Sequence, residues 1–193
     1  MLLKGCPANM RTICLTMVFG ALGWATTLER LSLADMISKS TAIVHAKATG
    51  SYTAFRGGDI YTYYQFQVSQ TLKPAGPPII QSPSGGLQVA VPGGAAQGIR
   101  QTVPGAPNIS IGVDYVLFLW TNASSASGLT QIIGLSQGLF RMTTDPAGNA
   151  ILVRPASTEP MLDAHGNAVA DQAMVFRWTD VLSQIQKAVG TGN

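Results

Sequence analysis

The longest regular pattern in the chain is an alternation of side chains over the thirteen residues from Ile60 to Leu72. One face of this segment is mainly apolar and carries Ile60, Thr62, Tyr64, Phe66, Val68 and Leu72. A period of two predicts a β-strand with one buried face. Thirteen extended residues span about 43 Å, far more than an ordinary strand. A strand of that length usually curves and serves two edges of a barrel, so the pattern favours a β-barrel.

The segments around this strand predict a barrel of about five strands. The turn Arg56-Gly57-Gly58-Asp59 pairs the long strand with a preceding strand over 41–49. Shorter apolar runs predict the remaining strands over 87–91, 115–120, 129–133 and 138–142. In the run 115–120, Phe118 and Trp120 are expected to join the core. With 21 glycines, 11 prolines and only 11% charged residues, the composition favours a turn-rich β protein over a helical bundle.

One short and one longer helix flank the predicted barrel. Ser32 is a suitable N-cap, with Asp35 three residues later, for a helix that ends near Lys39. An apolar stripe predicts a second helix from about Phe176 to Val189. Between them, the similar stretches 145–150 and 163–168 predict two hairpin turns. The expected division is therefore a barrel over 26–145, followed over 146–193 by a hairpin or irregular extension and a helix that packs on the barrel.

The first 25 residues have the pattern of a secretory signal peptide. Lys4 and Arg11 precede an apolar run from Ile13 to Trp24, and small residues end it near Ala25. The run is shorter than the roughly 20 residues that a spanning helix needs, so no transmembrane segment is expected in the mature chain. We predict cleavage near Ala25 and a secreted or periplasmic protein.

Cleavage would change both the cysteine content and the charge of the chain. Both cysteines, Cys6 and Cys14, lie in the leader, so the mature chain would form neither a disulfide nor a thiolate metal site. Removing Lys4 and Arg11 from the 12 basic residues leaves 10 against 9 acidic ones. Because the mature net charge is about +1 with no basic stripe, nucleic acid is not an expected partner.

Several of these segments resemble the netrin-like modules and the tissue inhibitors of metalloproteinases. The resemblance rests on Ala34-Asp35, on Ala42 to Lys47, on Ile60 to Tyr64 leading to Val68 and Leu72-Lys73, and on Gly112 to Leu119. An uncharacterised domain of exported bacterial proteins has a similar layout. The resemblance implies a five-stranded OB-like (Greek-key) barrel that binds protein or polysaccharide. Zinc chelation by an N-terminal cysteine does not carry over, because no cysteine remains after Ala25.

The predicted binding residues are Tyr61, Tyr63, Arg56 and Arg100. The two tyrosines project from one face of the long strand beside Arg56, and OB barrels bind ligands across such faces, often by aromatic stacking. Arg100 lies in the Gly- and Pro-rich stretch 92–110, which is long for a structureless connection and is a second candidate surface. The alternative is that the C-terminal helix covers both tyrosines. The expected partner is another exported protein or an envelope component.

The sequence also suggests two other functions, a serine hydrolase and a metalloprotease inhibitor or pro-region. Gly134-Leu135-Ser136-Gln137-Gly138 matches the nucleophile elbow of serine hydrolases, and Asp163 and His165 follow in the order of a catalytic triad. However, the elbow needs a helix after the serine, whereas 139–142 predicts a strand, so we expect a non-catalytic protein. A metalloprotease inhibitor or pro-region is suggested by the family resemblance alone. His45 is expected to be structural, His165 to be exposed, and no metal or cofactor is predicted, because the histidines lack metal-ligand spacing.

Overall fold

The computed structural model describes residues 28–74, 86–121 and 128–190. The predicted leader lies outside these residues. Within these ranges there are two helices, α1 (Leu33–Lys39) and α2 (Trp178–Gly190). The strands are β1 (Leu28–Glu29), β2 (Ala42–Arg56), β3 (Asp59–Lys73), β4 (Leu87–Pro92), β5 (Gly94–Ala96), β6 (Ile99–Gln101), β7 (Asp114–Thr121), β8 (Thr130–Ile132), β9 (Leu139–Thr144), β10 (Ala150–Arg154), β11 (Met161–Leu162), β12 (Ala168–Val169) and β13 (Met174–Arg177).

Eight of these strands form one sheet, and the chain is mainly β as the sequence predicts. The strand order is β13-β10-β9-β7-β2-β3-β4, with β8 paired to the far end of β7. Along the described residues the ladder does not close into a barrel, since β4 pairs only with β3. The prediction of a five-stranded OB barrel is therefore not confirmed. The prediction of a β-rich fold with a short first helix and a longer last helix is confirmed.

The two longest strands, β2 and β3, form a single hairpin of 15 residues on each side. The first strand was predicted to end at residue 49, and this was too short. A register shift between Ala48 and Gly50 interrupts the alternation there, and the strand then continues to the turn. Such bulges bend a hairpin and increase its twist. The first part of β2 pairs with β7, and the first part of β3 pairs with β4.

Apolar residues bury both faces of the sheet. The inner cluster lies on the face without helices and contains Ala42, Val44, Ala46, Ala48, Phe66, Leu87, Val89, Val91, Ile109, Tyr115, Leu117, Leu119, Ile132 and Leu139. The helix cluster lies beneath α1 and α2 and contains Leu31, Leu33, Met36, Ile37, Ile43, Val116, Phe118, Phe140, Leu152, Val181 and Ile185. The central strand β7 supplies alternate residues to both clusters, as expected for a strand buried on both faces.

Both helix predictions are confirmed, with a shift at the start of the second. Ser32 caps α1 in a capping box with Asp35: the Asp35 N–H donates to the Ser32 hydroxyl, and the Asp35 carboxylate accepts from the Ser32 N–H. Hydrogen bonds to the Asp35 carboxylate, first from the Ser32 hydroxyl and then from the Ser32 N–H, lower the pKa of this carboxyl. α2 begins at Trp178 instead of Phe176, because residues 174–177 pair with β10 as an edge strand. Val181 and Ile185 are the fully buried members of its predicted stripe.

The stretch 92–110 is not a structureless loop. Gly94 to Ala96 and Ile99 to Gln101 form a small hairpin, β5-β6, that folds back on β2 and β3. The Gln101 side-chain oxygen accepts the Ile60 N–H at 2.7 Å. At Gly94 the backbone has a φ of +135°, and an added Cβ would lie 2.6 Å from the Thr62 hydroxyl oxygen. Glycine therefore permits this close approach.

A buried ion pair fixes the segment that connects β10 to β13. Arg154 donates from both terminal nitrogens to the Asp171 carboxylate, at 2.7 and 2.9 Å, and both side chains are almost completely buried. Asp171 also accepts the Ser157 N–H. Burial alone would raise the pKa of Asp171, but the hydrogen bonds from Arg154, Ser157 and Gln172 outweigh it and the pKa is lowered. Nothing in the sequence pattern predicted this pair.

Candidate functional site

Three tyrosines and an arginine share one face of the β2-β3 hairpin. Strand partners lie on the same face of a sheet, and Tyr52 is the register partner of Tyr63. Ala54 pairs with Tyr61, and Arg56 pairs with Asp59. Alternation therefore places Tyr52, Arg56, Tyr61 and Tyr63 together, on the face opposite the inner cluster. We call this surface the tyrosine face.

The rings of the tyrosine face pack against one another. Tyr52 and Tyr63 are stacked, with centroids 5.1 Å apart and planes inclined by 17°. Tyr61 lies 6.3 Å from Tyr63 in a tilted arrangement. The middle ring, Tyr63, is only 7% exposed, whereas Tyr52 is 45% exposed. The Tyr52 hydroxyl accepts a hydrogen bond from the Gln88 side-chain amide at 2.9 Å. Of the two stacked rings, Tyr52 is therefore the one exposed to solvent, and Tyr63 and Gln88 restrain it.

Tyr52 is the member of this face that the sequence analysis missed. The predicted strand stopped at residue 49, so Tyr52 was assigned to no element. The hairpin offered a signal, because Gly57 and Gly58 occupy its two-residue turn. Tyr52 lies five residues before Gly57, and Tyr63 lies five residues after Gly58. A two-residue turn makes such positions register partners.

Helix α2 does not cover the tyrosine face, contrary to the alternative considered above. Val181 and Ile185 pack in the helix cluster, which includes Leu72 near the other end of β3 and neither Tyr61 nor Tyr63. Tyr63 instead packs against the rings of Tyr52 and Tyr61.

The two predicted binding arginines belong to different surfaces. Arg56 is half-buried at the end of β2, on the tyrosine face. Arg100 is exposed on β6. The β5-β6 hairpin packs on the opposite face of β2 and β3, where Gly94 approaches Thr53 and Thr62. The structure therefore groups Arg56 with the tyrosines and sets the element that carries Arg100 apart from them.

An apolar groove of about 310 Å³ lies between β4 and the segment that follows β8. Its walls include Pro92, Trp120, Ile133 and Leu135. Phe118 is fully buried as expected, but the prediction that Trp120 joins the core is wrong, because its side chain is 42% exposed. Trp120 pairs with Gln131 at the end of β7, and the helices cover only Val116 and Phe118 on its side of the sheet.

The Gly134 to Gly138 motif forms a turn that leads directly into β9, with no helix after Ser136. Its glycines and Gln137 have packing roles. The fully buried Gln137 side chain accepts the Leu31 N–H and donates to the Glu29 carbonyl, both at 2.8 Å. A Cβ at Gly134 would lie 2.8 Å from the Gln137 amide nitrogen, and one at Gly138 would lie 2.9 Å from the Phe118 carbonyl oxygen.

Asp163 and His165 lie in the second of the two predicted turns, and both turns are confirmed. The Asp163 carboxylate accepts the backbone N–H groups of His165 and Asn167, both at 2.9 Å. Asp145 makes the same contacts with Ala147 and Asn149 in the first turn. In the second turn the backbone and side-chain hydrogen bonds from Asn167 lower the pKa of Asp163. Asp163 lines a pocket beside Arg30 and Asp35, whereas Ser136 lines a different cleft beside Tyr115 and Arg141.

His45 is half-buried on the helix side of β2. Its ring lies 6.0 Å from Trp178, and its Nε2 lies 3.7 Å from an Asp114 carboxylate oxygen, too far for a hydrogen bond. Within the described ranges, no group of three or more potential metal-ligating side chains is present. In the same ranges neither helix has the length and apolar character to cross a membrane.

Comparisons with known proteins assign no family to this chain. A scan against protein-family models found no match, and searches of curated proteins and of solved structures found none either.

Proposed function

We propose that the protein is an exported, non-catalytic binding module that engages a protein partner through the tyrosine face. The observation that carries this proposal is the exposed Tyr52 ring, stacked on Tyr63 with Tyr61 and Arg56 on the same face. Tyrosine and arginine are enriched in the energetically dominant centres of protein interfaces.

The packing of the rings favours binding, because the Tyr52 side chain has little conformational freedom left to lose when a partner binds. Each side chain that becomes ordered in a complex costs about 0.5–1.5 kcal/mol. Tyr52 is already restrained by the Tyr63 ring and by the hydrogen bond from Gln88. A partner that covers Tyr52 gains apolar burial without first ordering this side chain.

We also propose that the sheet is part of an OB-like barrel. The OB-like barrel of the netrin-like family is supported by the two long, bulged strands and by the approach of β4 to β8 at the open side of the sheet. OB barrels bind ligands across the faces of their second and third strands, and β3, which carries Tyr61 and Tyr63, is the second strand of the proposed barrel. Export is supported by the positive start and the apolar run of the leader. The proposed partner is therefore another exported protein or an envelope component.

Affinity capture with matched variants tests the proposal. The bait is the mature chain from Thr26, and the source is the envelope fraction of the producing organism. Tyr52→Ala/Tyr61→Ala removes aromatic surface while keeping the buried Tyr63. Phe55→Ala is the control, because Phe55 is 37% exposed on the opposite face of the same hairpin. A partner held by the wild type and the control but lost by the double variant supports the proposal. Equal retention by all three baits overturns it.

A further inference from the structure

A second concave surface lies on the sheet face opposite the helices, over β7, β9 and β10. This cleft has a volume of about 300 Å³, at the lower end of the range for small-molecule sites. Tyr115 pairs with Arg141, and Arg141 pairs with Val153, so these three residues form one row across its floor. The segments 107–110 and 155–157 form the walls. We call it the donor cleft.

Among the residues that the structure describes, the polar lining of the donor cleft consists of groups that can donate hydrogen bonds, with no aspartate or glutamate. The polar residues are Asn108, Ser110, Tyr115, Ser136, Arg141, Arg154 and Ser157. The charge of Arg154 is neutralised by the buried Asp171. Arg141 is exposed and forms no ion pair with any described carboxylate. The cleft therefore contains one uncompensated positive charge.

The buried Tyr115 side chain also lines the cleft. Its oxygen accepts the Ser110 N–H at 3.0 Å, so its own O–H hydrogen remains to be donated. No acceptor for that hydrogen is found among the described residues. Tyr115 and Arg141 are direct strand partners, so their Cβ atoms lie about 5 Å apart on the cleft floor, and the Tyr115 ring packs edge-on against Phe66 with centroids 6.5 Å apart.

We infer that the donor cleft binds a carboxylate group, either of a small organic acid or at the C-terminus of a peptide. The Arg141 guanidinium would pair with the carboxylate, since its planar fork matches two oxygens. The Tyr115 O–H and the hydroxyls of Ser136 and Ser157 would complete its hydrogen bonds. This site is separate from the tyrosine face and does not depend on the function proposed for it.

Titration of the ¹⁵N-labelled mature chain with defined probes tests the inference by amide chemical shifts. The probes are benzoate, N-acetyl-Ala-Ala, its C-terminal amide, and inorganic phosphate. Saturable shifts at Ser110, Arg141 and Ser157 are expected with at least one carboxylate, and none with the amide. Tight binding of benzoate would identify a small organic acid as the ligand, and binding of the dipeptide alone would identify a peptide C-terminus. Both outcomes support a carboxylate site.

Matched variants test whether the positive charge of Arg141 binds the carboxylate. Arg141→Gln should weaken carboxylate binding by roughly tenfold or more, because a hydrogen bond to a charged group is lost. Arg177→Gln, an exposed arginine on β13 outside the cleft, should leave binding unchanged. The inference would be overturned if the dipeptide acid and its amide bound equally well, or if phosphate bound more tightly than both carboxylates. It would also be overturned if Arg141→Gln bound the carboxylates like the wild type, or if no probe saturated the protein by about 10 mM.

Discussion

The side-chain oxygen of Gln137 accepts a hydrogen bond from the backbone N–H of Leu31 at 2.8 Å, although 106 positions separate the two residues. The nitrogen of the same side chain donates to the Glu29 carbonyl. A fully buried carboxamide thus satisfies backbone groups of the segment that precedes α1. This contact explains why glutamine follows the serine of the G-x-S-x-G pattern, because its side chain binds the backbone of the segment that precedes α1.

Gln137→Leu is expected to lower the free energy of unfolding by about 2–4 kcal/mol, because it keeps the side-chain volume but leaves the buried Leu31 N–H and the partly buried Glu29 carbonyl without their partner. Urea denaturation measures the change. Ser136→Ala is the matched neighbour and should stay within about 0.5 kcal/mol of wild type. If the two variants are equally stable, the packing role of the motif is wrong.

Gly94→Ala is expected to destabilise the protein by more than about 2 kcal/mol, since it adds a steric clash to an unfavourable φ. The new Cβ would lie 2.6 Å from the Thr62 hydroxyl oxygen and 2.7 Å from the Thr53 methyl carbon. Gly98→Ala provides the comparison, because Gly98 has a φ of +80° with no heavy atom within 4 Å of the new Cβ. It should cost only about 1 kcal/mol. Thermal unfolding of both variants checks the difference, and equal costs would contradict the docking of β5-β6 on β2 and β3.

Asp171→Asn is expected to cost about 3–5 kcal/mol, because it leaves the buried Arg154 charge without a partner. Replacing both residues, as Arg154→Met/Asp171→Leu, should cost much less, since no charge is then left buried. Chemical denaturation of the two variants measures both costs. A double variant less stable than Asp171→Asn would show that the ion pair itself, and not the orphaned charge, dominates.

The same pair predicts a pH dependence. The folded pKa of Asp171 is lowered from its ordinary value of 3.8, so its contribution is fully present above pH 3.8 and is lost as the pH falls through the folded pKa. Below pH 3.8 the wild type should therefore lose stability more steeply than the double variant. Other carboxyls with lowered pKa values, such as Asp35 and Asp163, remain in both proteins, so the difference isolates Asp171. Parallel curves of unfolding free energy against pH would refute this.

The parts of the fold that the sequence predicted correctly depend on neighbouring residues. The capping box at Ser32, the turn at Asp163 and the alternation in β3 each follow from a few adjacent side chains, and each is present. The predictions failed where a local interruption hid a longer element. The bulge at Gly50 broke the alternation of β2, so Tyr52 was not placed in a strand or on the tyrosine face.

Local sequence patterns did not predict the contacts between distant segments. The pairs Arg154–Asp171 and Gln137–Leu31 join residues from different elements, and no spacing rule links them. Trp120 illustrates the same limit, because its exposure depends on where the helices end over the sheet. The tyrosines of β3 were identified by alternation alone, but the burial of Tyr63 by Tyr52 required the register of the hairpin.

Site-specific photo-crosslinking in the producing cell tests the central claim, that the tyrosine face is the binding surface, most directly. A benzophenone amino acid replaces Tyr52 in one protein and Phe55 in another. The two positions are exposed on opposite faces of the same strand. We predict a discrete crosslinked protein from position 52 and none from position 55. A crosslink from position 55 alone, or the same product from both positions, would contradict the account.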